Sequence, residues 1–252
     1  MKEQKKYAIS VIAGLLTIIV SSIILFSSGS YAVYTAGTAK RKLPVYGVGR
    51  DDGALSISFD CAWGTDYTDK ILDTLDFYNV KATFFVVQFW AEKYPDYLKK
   101  IVGRGHEVGT HSKTHPKMTK LSAEEIEEEL KSSVAAIENV TGQKVKLFRP
   151  PFGDYDDKVI TAAENLGLYT IQWNVDSLDW KNLSAEQIAA RVIKKAGSGS
   201  IILMHNNGLH TAESLPLIFT ATQQKGLVYR PISELIYTDD FRITPDGTQI
   251  KN

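Results

Sequence analysis

Residues 54–59 read Ala-Leu-Ser-Ile-Ser-Phe, a stretch in which small or polar residues alternate with large apolar ones. Alternation with a period of two is typical of a β-strand. Lys81–Val87 (KATFFVV) and Ser200–Met204 (SIILM) are apolar stretches typical of buried strands. Each of the three is followed by a segment with helical periodicity. This alternation predicts βα units that build a parallel sheet.

The number of these units favours an α/β barrel. Capping boxes, Ser122 with Glu125 and Ser184 with Gln187, predict the starts of two helices. About seven βα units fit a barrel or near-barrel better than a doubly wound sheet. No GxGxxG or GxxxxGKS motif occurs in the sequence, which argues against a nucleotide site. Further strands are predicted at Glu107–Thr110, Lys146–Phe148, Tyr169–Trp173 and Val228–Tyr229.

Composition narrows the class of protein. A chain of 252 residues with 44% hydrophobic residues supports one domain with a large core. Residues 1–42 carry six Lys or Arg against one acid, which leaves 23 basic and 28 acidic residues in the rest. A mildly acidic domain argues against nucleic acid as a partner. The single cysteine, Cys61, excludes an intramolecular disulfide and a CxxC zinc motif.

The N-terminal segment predicts export. Residues 7–26 contain no charged residue and are long enough, at about 30 Å as a helix, to cross a bilayer. Basic residues before this span predict a cytoplasmic N-terminus and an extracytoplasmic domain. We therefore interpret residues 1–26 as a basic tip and single transmembrane anchor. The alternative is a cleaved signal, with the cut within residues 27–39 and a secreted product.

The remaining boundaries follow from composition and periodicity. Residues 27–50, which begin with a stretch rich in Ser, Gly, Ala and Thr, are predicted to be a linker. The folded domain is predicted to span residues 51–240. Residues 241–252 are predicted to be a C-terminal tail.

A pair of histidines stands four residues apart in His111-Ser-Lys-Thr-His115. Two neutral imidazoles at this spacing can turn to one side of a turn and begin a zinc-type site. Two ordinary surface histidines are the alternative. Other reactive residues also follow predicted strands, and the carboxyl ends of parallel strands are where such folds place their chemistry. They are Asp60, Arg149, Asp176, Asp179 and His205.

These stretches resemble the motifs of the polysaccharide deacetylases of carbohydrate esterase family four, which share the NodB homology domain. The resemblance runs from about Ala54 to Ile236 and implies a distorted (β/α) barrel of about seven parallel strands. It further implies hydrolytic N-deacetylation of amino sugars in a cell-wall polymer by a monomeric enzyme. The motifs stand here as Ser58-Phe59-Asp60, His111 to His115, Arg149-Pro-Pro-Phe-Gly153, Asp176-Ser-Leu-Asp179-Trp180 and Leu203-Met-His205-Asn206.

The resemblance assigns catalytic roles. Asp60 is expected to be the general base, kept ionised by Arg149. His205 is expected to be the general acid, with Asp179 holding its imidazolium. The backbone N–H of Phe152 is expected to stabilise the oxyanion.

The resemblance also assigns a metal and a groove. His111 and His115 are expected to hold a divalent metal ion, zinc, with cobalt, nickel or manganese as alternatives. Trp180 and Leu203 are expected to line the groove that accepts the acetyl group and the sugar ring.

The first motif departs from the family pattern, since Cys61 replaces the aspartate that supplies the third metal ligand. Three outcomes stay open. The Cys61 thiolate ligates the metal; Asp60, Asp66 or water completes the site; or the metal is lost and the protein binds glycan with little or no catalysis. The form Phe-Asp-x-Ala-Trp-Gly resembles the spore-associated, PdaB-like branch, which implies a role in sporulation and a peptidoglycan substrate. Asn206, where aspartate is common, is a lesser departure.

Overall fold

The computed structural model describes residues 41–252, which form eleven strands and eight α-helices. The strands are β1 (Gly47–Val48), β2 (Ala54–Cys61), β3 (Thr83–Val86), β4 (Glu107–Thr110), β5 (Leu147–Phe148), β6 (Tyr169–Thr170), β7 (Val175–Asp176), β8 (Ile201–His205), β9 (Val228–Tyr229), β10 (Phe241–Ile243) and β11 (Thr248–Lys251). The helices are α1 (Thr68–Phe77), α2 (Gln88–Lys93), α3 (Pro95–Gly103), α4 (Ala123–Thr141), α5 (Asp157–Asn165), α6 (Ala185–Lys195), α7 (Thr211–Gln224) and α8 (Ile232–Leu235).

Seven parallel strands form a curled half-barrel in the order β6-β5-β4-β3-β2-β8-β7, and β9 pairs separately with β2. The predicted α/β class and the predicted number of parallel strands are confirmed. One strand of this sheet was missed. The predicted strand Tyr169–Trp173 ends at Thr170, and after only four intervening residues β7 begins at the opposite edge of the sheet. Val45, which bridges to Ile171, and Gly47, which bridges to Ser200, lie beside this crossing.

The alternation in β2 separates two cores. Leu55, Ile57, Phe59 and Cys61 belong to the larger apolar cluster, which includes side chains of the surrounding helices. Ala54 belongs to a smaller cluster on the other face of the sheet. Side chains of a strand point alternately to opposite faces, so residues 54, 56, 58 and 60 share that second face. Asp60 and Cys61, although adjacent, therefore point in opposite directions.

Helix boundaries follow local capping. In α4 the Ser122 hydroxyl accepts from the Glu125 backbone N–H, and the Glu125 side chain accepts from Ser122 N–H. The chain leaves α4 through Gly142, whose φ of 68° is in the left-handed region that glycine adopts without strain. Both predicted capping boxes are confirmed, because the Ser184 box also begins α6. Helix α4 also supports the turn that carries the histidine pair.

The two ends of the described chain meet in a second sheet. Strand β11 pairs in parallel with β1 and antiparallel with β10. Val45 and Val48 are buried against the domain. The folded domain thus includes strands from two segments that were predicted to be a linker and a tail. These segments are residues 45–48 and 241–252. The predicted membrane span lies outside the described residues; between residues 41 and 252, no helix is long and apolar enough to cross a bilayer.

Candidate active site

The carboxyl ends of the central strands bring the predicted catalytic residues together. Asp60 and His205 are register partners on the neighbouring strands β2 and β8. His111 follows β4, and Arg149 follows β5, where Thr110 and Phe148 are register partners. Four reactive side chains that are far apart in the sequence therefore share one rim of the sheet.

Arg149 and Asp60 form a buried ion pair. The Arg149 Nη1 donates to Asp60 Oδ1 at 2.8 Å, and its Nη2 donates to the Gln172 carbonyl at 3.1 Å. The guanidinium also lies over the Phe85 ring, 4.1 Å from its centroid. Burial opposes ionisation of Asp60, but the charge of Arg149 outweighs it and lowers the pKa of Asp60. The carboxylate is therefore ionised at neutral pH.

His205 and Asp179 form the second pair. His205 Nδ1 donates to Asp179 Oδ1 at 2.8 Å, and the His205 backbone N–H donates to Asp179 Oδ2, also at 2.8 Å. The Thr211 hydroxyl donates to the same Oδ2 at 2.6 Å. Burial opposes protonation of the imidazole, but the hydrogen bond and charge of Asp179 prevail, so the pKa of His205 is raised above its usual 6.5. This arrangement provides an orienting carboxylate for a proton-donating imidazole.

The histidine pair has one well-defined member and one in a more open position. His111 is buried, and its Nδ1 lies 2.7 Å from the Arg149 carbonyl. A carbonyl only accepts, so Nδ1 carries the proton and Nε2 keeps a free lone pair. That Nε2 lies 3.5 Å from Asp60 Oδ2. His115 is half-buried, with its ring centroid 4.9 Å from that of His111.

Both imidazoles are held neutral. Burial lowers the pKa of His111, although Asp60 partly counteracts the effect. Burial, with His111 as a secondary cause, lowers the pKa of His115 to about 4. A metal ion needs the unprotonated imidazole, so this environment suits ligation at neutral pH.

A glutamate from α4 holds the turn between the two histidines. Glu129 Oε2 accepts from the backbone N–H groups of Lys113 and Thr114, each at 2.8 Å, and Oε1 accepts from the Thr114 hydroxyl at 2.6 Å. The turn needs support, because Ser112 and His115 have positive φ values of 74° and 60°. No motif in the sequence predicts this role of Glu129.

Neither Cys61 nor Asp66, two of the residues suggested as a third ligand, joins the pair. Cys61 is fully buried among apolar side chains, and its Sγ lies 3.8 Å from its own strand's Phe59 carbonyl oxygen. Burial, with the nearby Asp60 charge, raises the pKa of the Cys61 thiol well above its usual value, which opposes the thiolate. Asp66 is exposed in the loop after β2. Across residues 41–252, no group of three His, Cys, Asp or Glu side chains is arranged to hold a metal ion.

The fit to a metal site is therefore partial. Two neutral imidazoles, one with its tautomer fixed by a backbone carbonyl, suit zinc and related divalent ions. In this structure neither Cys61 nor Asp66 lies with the two histidines. The cause is strand geometry for Cys61, which points into the helical layer, and position for Asp66, which lies outside the pocket of histidines.

Of the three residues expected to contact the substrate, two are open to solvent. Phe152 is 64% exposed and Trp180 is 56% exposed. Phe152 has a φ of 60°, within a single 3-10 turn after the two prolines. Leu203, by contrast, is only 3% exposed, because it lies within β8 between two neighbouring strands. It offers little surface to a ligand, which differs from the role expected of it.

The loop after β2 is fastened at Gly64. The Gly64 carbonyl accepts from the Trp90 indole N–H at 2.8 Å and from Asn206 Nδ2 at 3.0 Å. Asn206 Nδ2 also contacts the Thr68 hydroxyl at 3.3 Å. An aspartate at position 206 has no N–H to donate, so the amide gives this chain a loop contact that a carboxylate cannot make. The contact was not predicted from the sequence, where Asn206 stands out only as a departure from the family pattern.

Comparison with known proteins agrees with this geometry. A family model for polysaccharide deacetylases matches residues 47–171. An uncharacterized Bacillus subtilis protein, YlxY, is 36% identical over 193 residues, covering 77% of this chain and 60% of YlxY. Peptidoglycan-N-acetylglucosamine deacetylase PgdA of Listeria monocytogenes is 35% identical, covering 77% of this chain and 41% of PgdA. The chain thus spans about half the length of these two relatives.

Other relatives are matched over more of their length. Peptidoglycan-N-acetylmuramic acid deacetylase PdaA of Bacillus subtilis is 32% identical over 191 residues, 74% of this chain and 73% of PdaA. The crystal structure of wild-type BA3943, a CE4 family pseudoenzyme from Bacillus anthracis, is 36% identical with a TM-score of 0.74, covering 76% of this chain and 68% of that one. A BA3943 mutant with restored enzymatic activity matches equally well, at 38% identity. The chain belongs to the polysaccharide deacetylases of carbohydrate esterase family 4.

Proposed function

We propose that this protein hydrolyses the N-acetyl group of amino sugars in cell-wall peptidoglycan. The observation that carries the proposal is the pairing of Asp60 with Arg149 and of His205 with Asp179 on one rim of the sheet. The similarity to peptidoglycan deacetylases supports the substrate class. The reaction adds water across the amide bond and releases acetate and a free amine.

The two pairs divide the proton transfers. Asp60, ionised beside Arg149, accepts the proton of the attacking water as its oxygen bonds to the amide carbon. His205, whose raised pKa favours the protonated form, donates a proton to the nitrogen as the C–N bond breaks. The backbone N–H of Phe152 is proposed to stabilise the oxyanion between these steps, and Trp180 to contact the sugar. A carboxylate and an imidazolium with pKa values shifted in opposite directions suit a base and an acid.

The activity is proposed to depend on a divalent metal ion, zinc, with cobalt, nickel or manganese as substitutes. His111 and His115 would hold it, with water supplying the ligands that neither Cys61 nor Asp66 provides. A bound ion would polarise the amide carbonyl of the substrate. With only two side-chain ligands, we expect weaker binding than at a three-ligand site.

The cellular setting is proposed from the sequence. Residues 7–26 are proposed to anchor the chain, as a monomer, with its domain on the extracytoplasmic side, where peptidoglycan lies. Release after cleavage of a signal is the alternative. The Phe59-Asp-x-Ala-Trp-Gly64 form supports a place in the PdaB-like branch and a role in sporulation.

A second function is favoured by one observation. The burial of Cys61 leaves the histidine pair without a third side-chain ligand among residues 41–252. The similarity to BA3943, a pseudoenzyme, is in line with this. On this second proposal, the chain binds cell-wall glycan and is a weak or inactive catalyst.

Metal analysis combined with an acetate assay separates the two. Purified wild-type protein is measured for metal content and for acetate release from peptidoglycan with added zinc or cobalt. Deacetylation predicts metal-dependent acetate release, with both metal content and release lost in His111→Ala. Binding of peptidoglycan without metal and without acetate release would establish the second function instead.

A further inference from the structure

Trp63 is an exposed aromatic side chain beside the histidine pair, and the roles assigned above do not use it. Its ring is 56% exposed and stands edge-on to His115, with 5.0 Å between ring centroids. Phe152, which is also exposed, contacts the same imidazole at 4.6 Å. Two solvent-facing aromatic rings therefore adjoin one imidazole at the rim of the candidate active site.

The position of Trp63 is fixed although its ring faces solvent. Its neighbour Gly64 has a φ of 62°, and the Gly64 carbonyl accepts hydrogen bonds from Trp90 and Asn206. Trp90 is buried in the larger core, and Asn206 is buried next to the catalytic strand end. The loop is thus fastened to two separate parts of the domain. A ring held in place before binding loses little conformational freedom when a ligand stacks on it.

The chemistry of the surroundings indicates what the ring contacts. An indole left in water forgoes the stabilisation that its burial would give, so a fixed and exposed one suggests a ligand. The catalytic groups at the same end of the sheet, Asp60 and His205, are polar and form hydrogen bonds. A pyranose ring combines an apolar C–H face with a rim of hydroxyl groups, and it fits a site with one aromatic wall and polar neighbours.

We propose that Trp63 is a substrate-positioning residue that stacks on a pyranose ring of the glycan and sets which ring of the chain is presented to Asp60. The inference rests on the proposed function and deepens it. Strand β2 ends at Cys61, and only Ala62 separates it from Trp63, so the indole and the base belong to one continuous segment. Because the Asn206 amide holds Gly64, it also helps to fix the position of Trp63.

The test is a binding titration with a soluble N-acetylglucosamine tetrasaccharide. The wild-type protein is compared with Trp63→Ala, Trp63→Phe and a control, Phe77→Ala. Phe77 is 81% exposed at the carboxyl end of α1, so its loss removes an exposed aromatic ring away from the catalytic rim. We expect Trp63→Ala to weaken binding about tenfold and Trp63→Phe to restore it to within about threefold. We expect Phe77→Ala to bind as the wild type does.

A kinetic split supports the same point, since Trp63→Ala should raise KM for the glycan far more than it lowers kcat. Wild-type binding that Trp63→Ala leaves unchanged would overturn this inference and leave the proposed function standing. So would equal weakening by Trp63→Ala and Phe77→Ala, because that would reflect general destabilisation. A wild-type protein that binds neither the tetrasaccharide nor peptidoglycan would overturn the proposed function and this inference with it.

Discussion

The acid–base half of the site and the histidine half are built in different ways. In the first, Asp179 accepts three hydrogen bonds and Asp60 is paired with the buried Arg149. In the second, only His111 is fixed by a hydrogen bond to its ring, and no third side-chain ligand joins the pair among the described residues. The first half depends on the register of neighbouring strands, whereas the second depends on one side chain at the end of β2. The presence of cysteine instead of aspartate at position 61 can therefore weaken metal binding while the proton-transfer groups stay intact.

The largest test of this comparison is Asp60→Asn. The change removes the base while Asn can still accept a hydrogen bond from Arg149, and we expect acetate release to fall by about 10²–10⁴-fold. Zinc content should stay near the wild-type value, because the histidines supply the ligands. Loss of the buried charge partner is also expected to lower the melting temperature, which circular dichroism would follow.

Asp66→Asn is the matched control for that variant. It neutralises an exposed carboxylate on the loop that follows β2 and should leave acetate release and zinc content unchanged. Acetate release by Asp60→Asn near the wild-type rate would show that Asp60 is not the base. Loss of zinc from Asp66→Asn would return Asp66 to the set of ligands.

Cys61→Asp tests the histidine half. Burying a carboxylate among apolar groups is unfavourable unless it is paired. With metal removed by a chelator, the Cys61→Asp variant should therefore have a lower melting temperature than the wild type. If the side chain can turn toward the histidines, zinc should restore the stability and bind at least about tenfold more tightly. Thermal unfolding with zinc and with chelator measures both effects. Cys61→Ser, which adds no carboxylate, should show neither gain, and equal zinc affinity in the two variants would contradict the two-histidine interpretation.

Much of the fold could be predicted because its signals are local. A few residues are enough to predict each of three elements. The signals are the capping boxes at Ser122 and Ser184 and the apolar stretch in β8. The alternation in β2 is also a local signal. It predicts that Asp60 and Cys61 point to opposite faces of the sheet, and the apolar cluster that contains Cys61 confirms this.

The parts that could not be predicted depend on distant contacts. Strand β7 consists of two residues at the far edge of the sheet, and no local pattern marks the crossing before it. The same is true of β1, which needs β11 as its partner from the other end of the chain. At the site, Glu129 is one of several glutamates on α4, and nothing in the sequence singles it out as the support of the histidine turn. The contact made by Thr211 could not be predicted for the same reason, since its partner Asp179 is 32 residues away.

Glu129→Gln sharpens the comparison by loosening only the histidine half. The neutral amide loses the charge that strengthens the bonds from Lys113 and Thr114, so we expect the free energy of unfolding to fall by about 1–2 kcal/mol. Zinc affinity should fall as well, while the hydrogen bond between His205 and Asp179 stays intact. Chemical denaturation and a zinc titration measure the two effects.

Glu128→Gln provides the control on the same helix. Glu128 is exposed and pairs with the Lys113 side chain at 3.0 Å, so its neutralisation should change stability by less than about 0.5 kcal/mol. Equal effects of the two variants would show that the turn does not depend on Glu129.

The smallest expected effect concerns the acid limb alone and is a shift in pH dependence. In the wild type, Asp179 raises the pKa of His205 above 6.5, so the stabilisation from protonated His205 is complete below pH 6.5 and is lost as pH rises through the raised pKa. In Asp179→Asn the charge is gone and burial prevails, so the pKa should fall below 6.5. The alkaline limb of acetate release should move to lower pH by the same displacement, while the response of zinc binding to pH stays as it is. NMR titration of the His205 ring measures the pKa directly. An unchanged pKa would show that Asp179 only orients the imidazole. The two halves of the site would then be less distinct than their hydrogen bonds indicate.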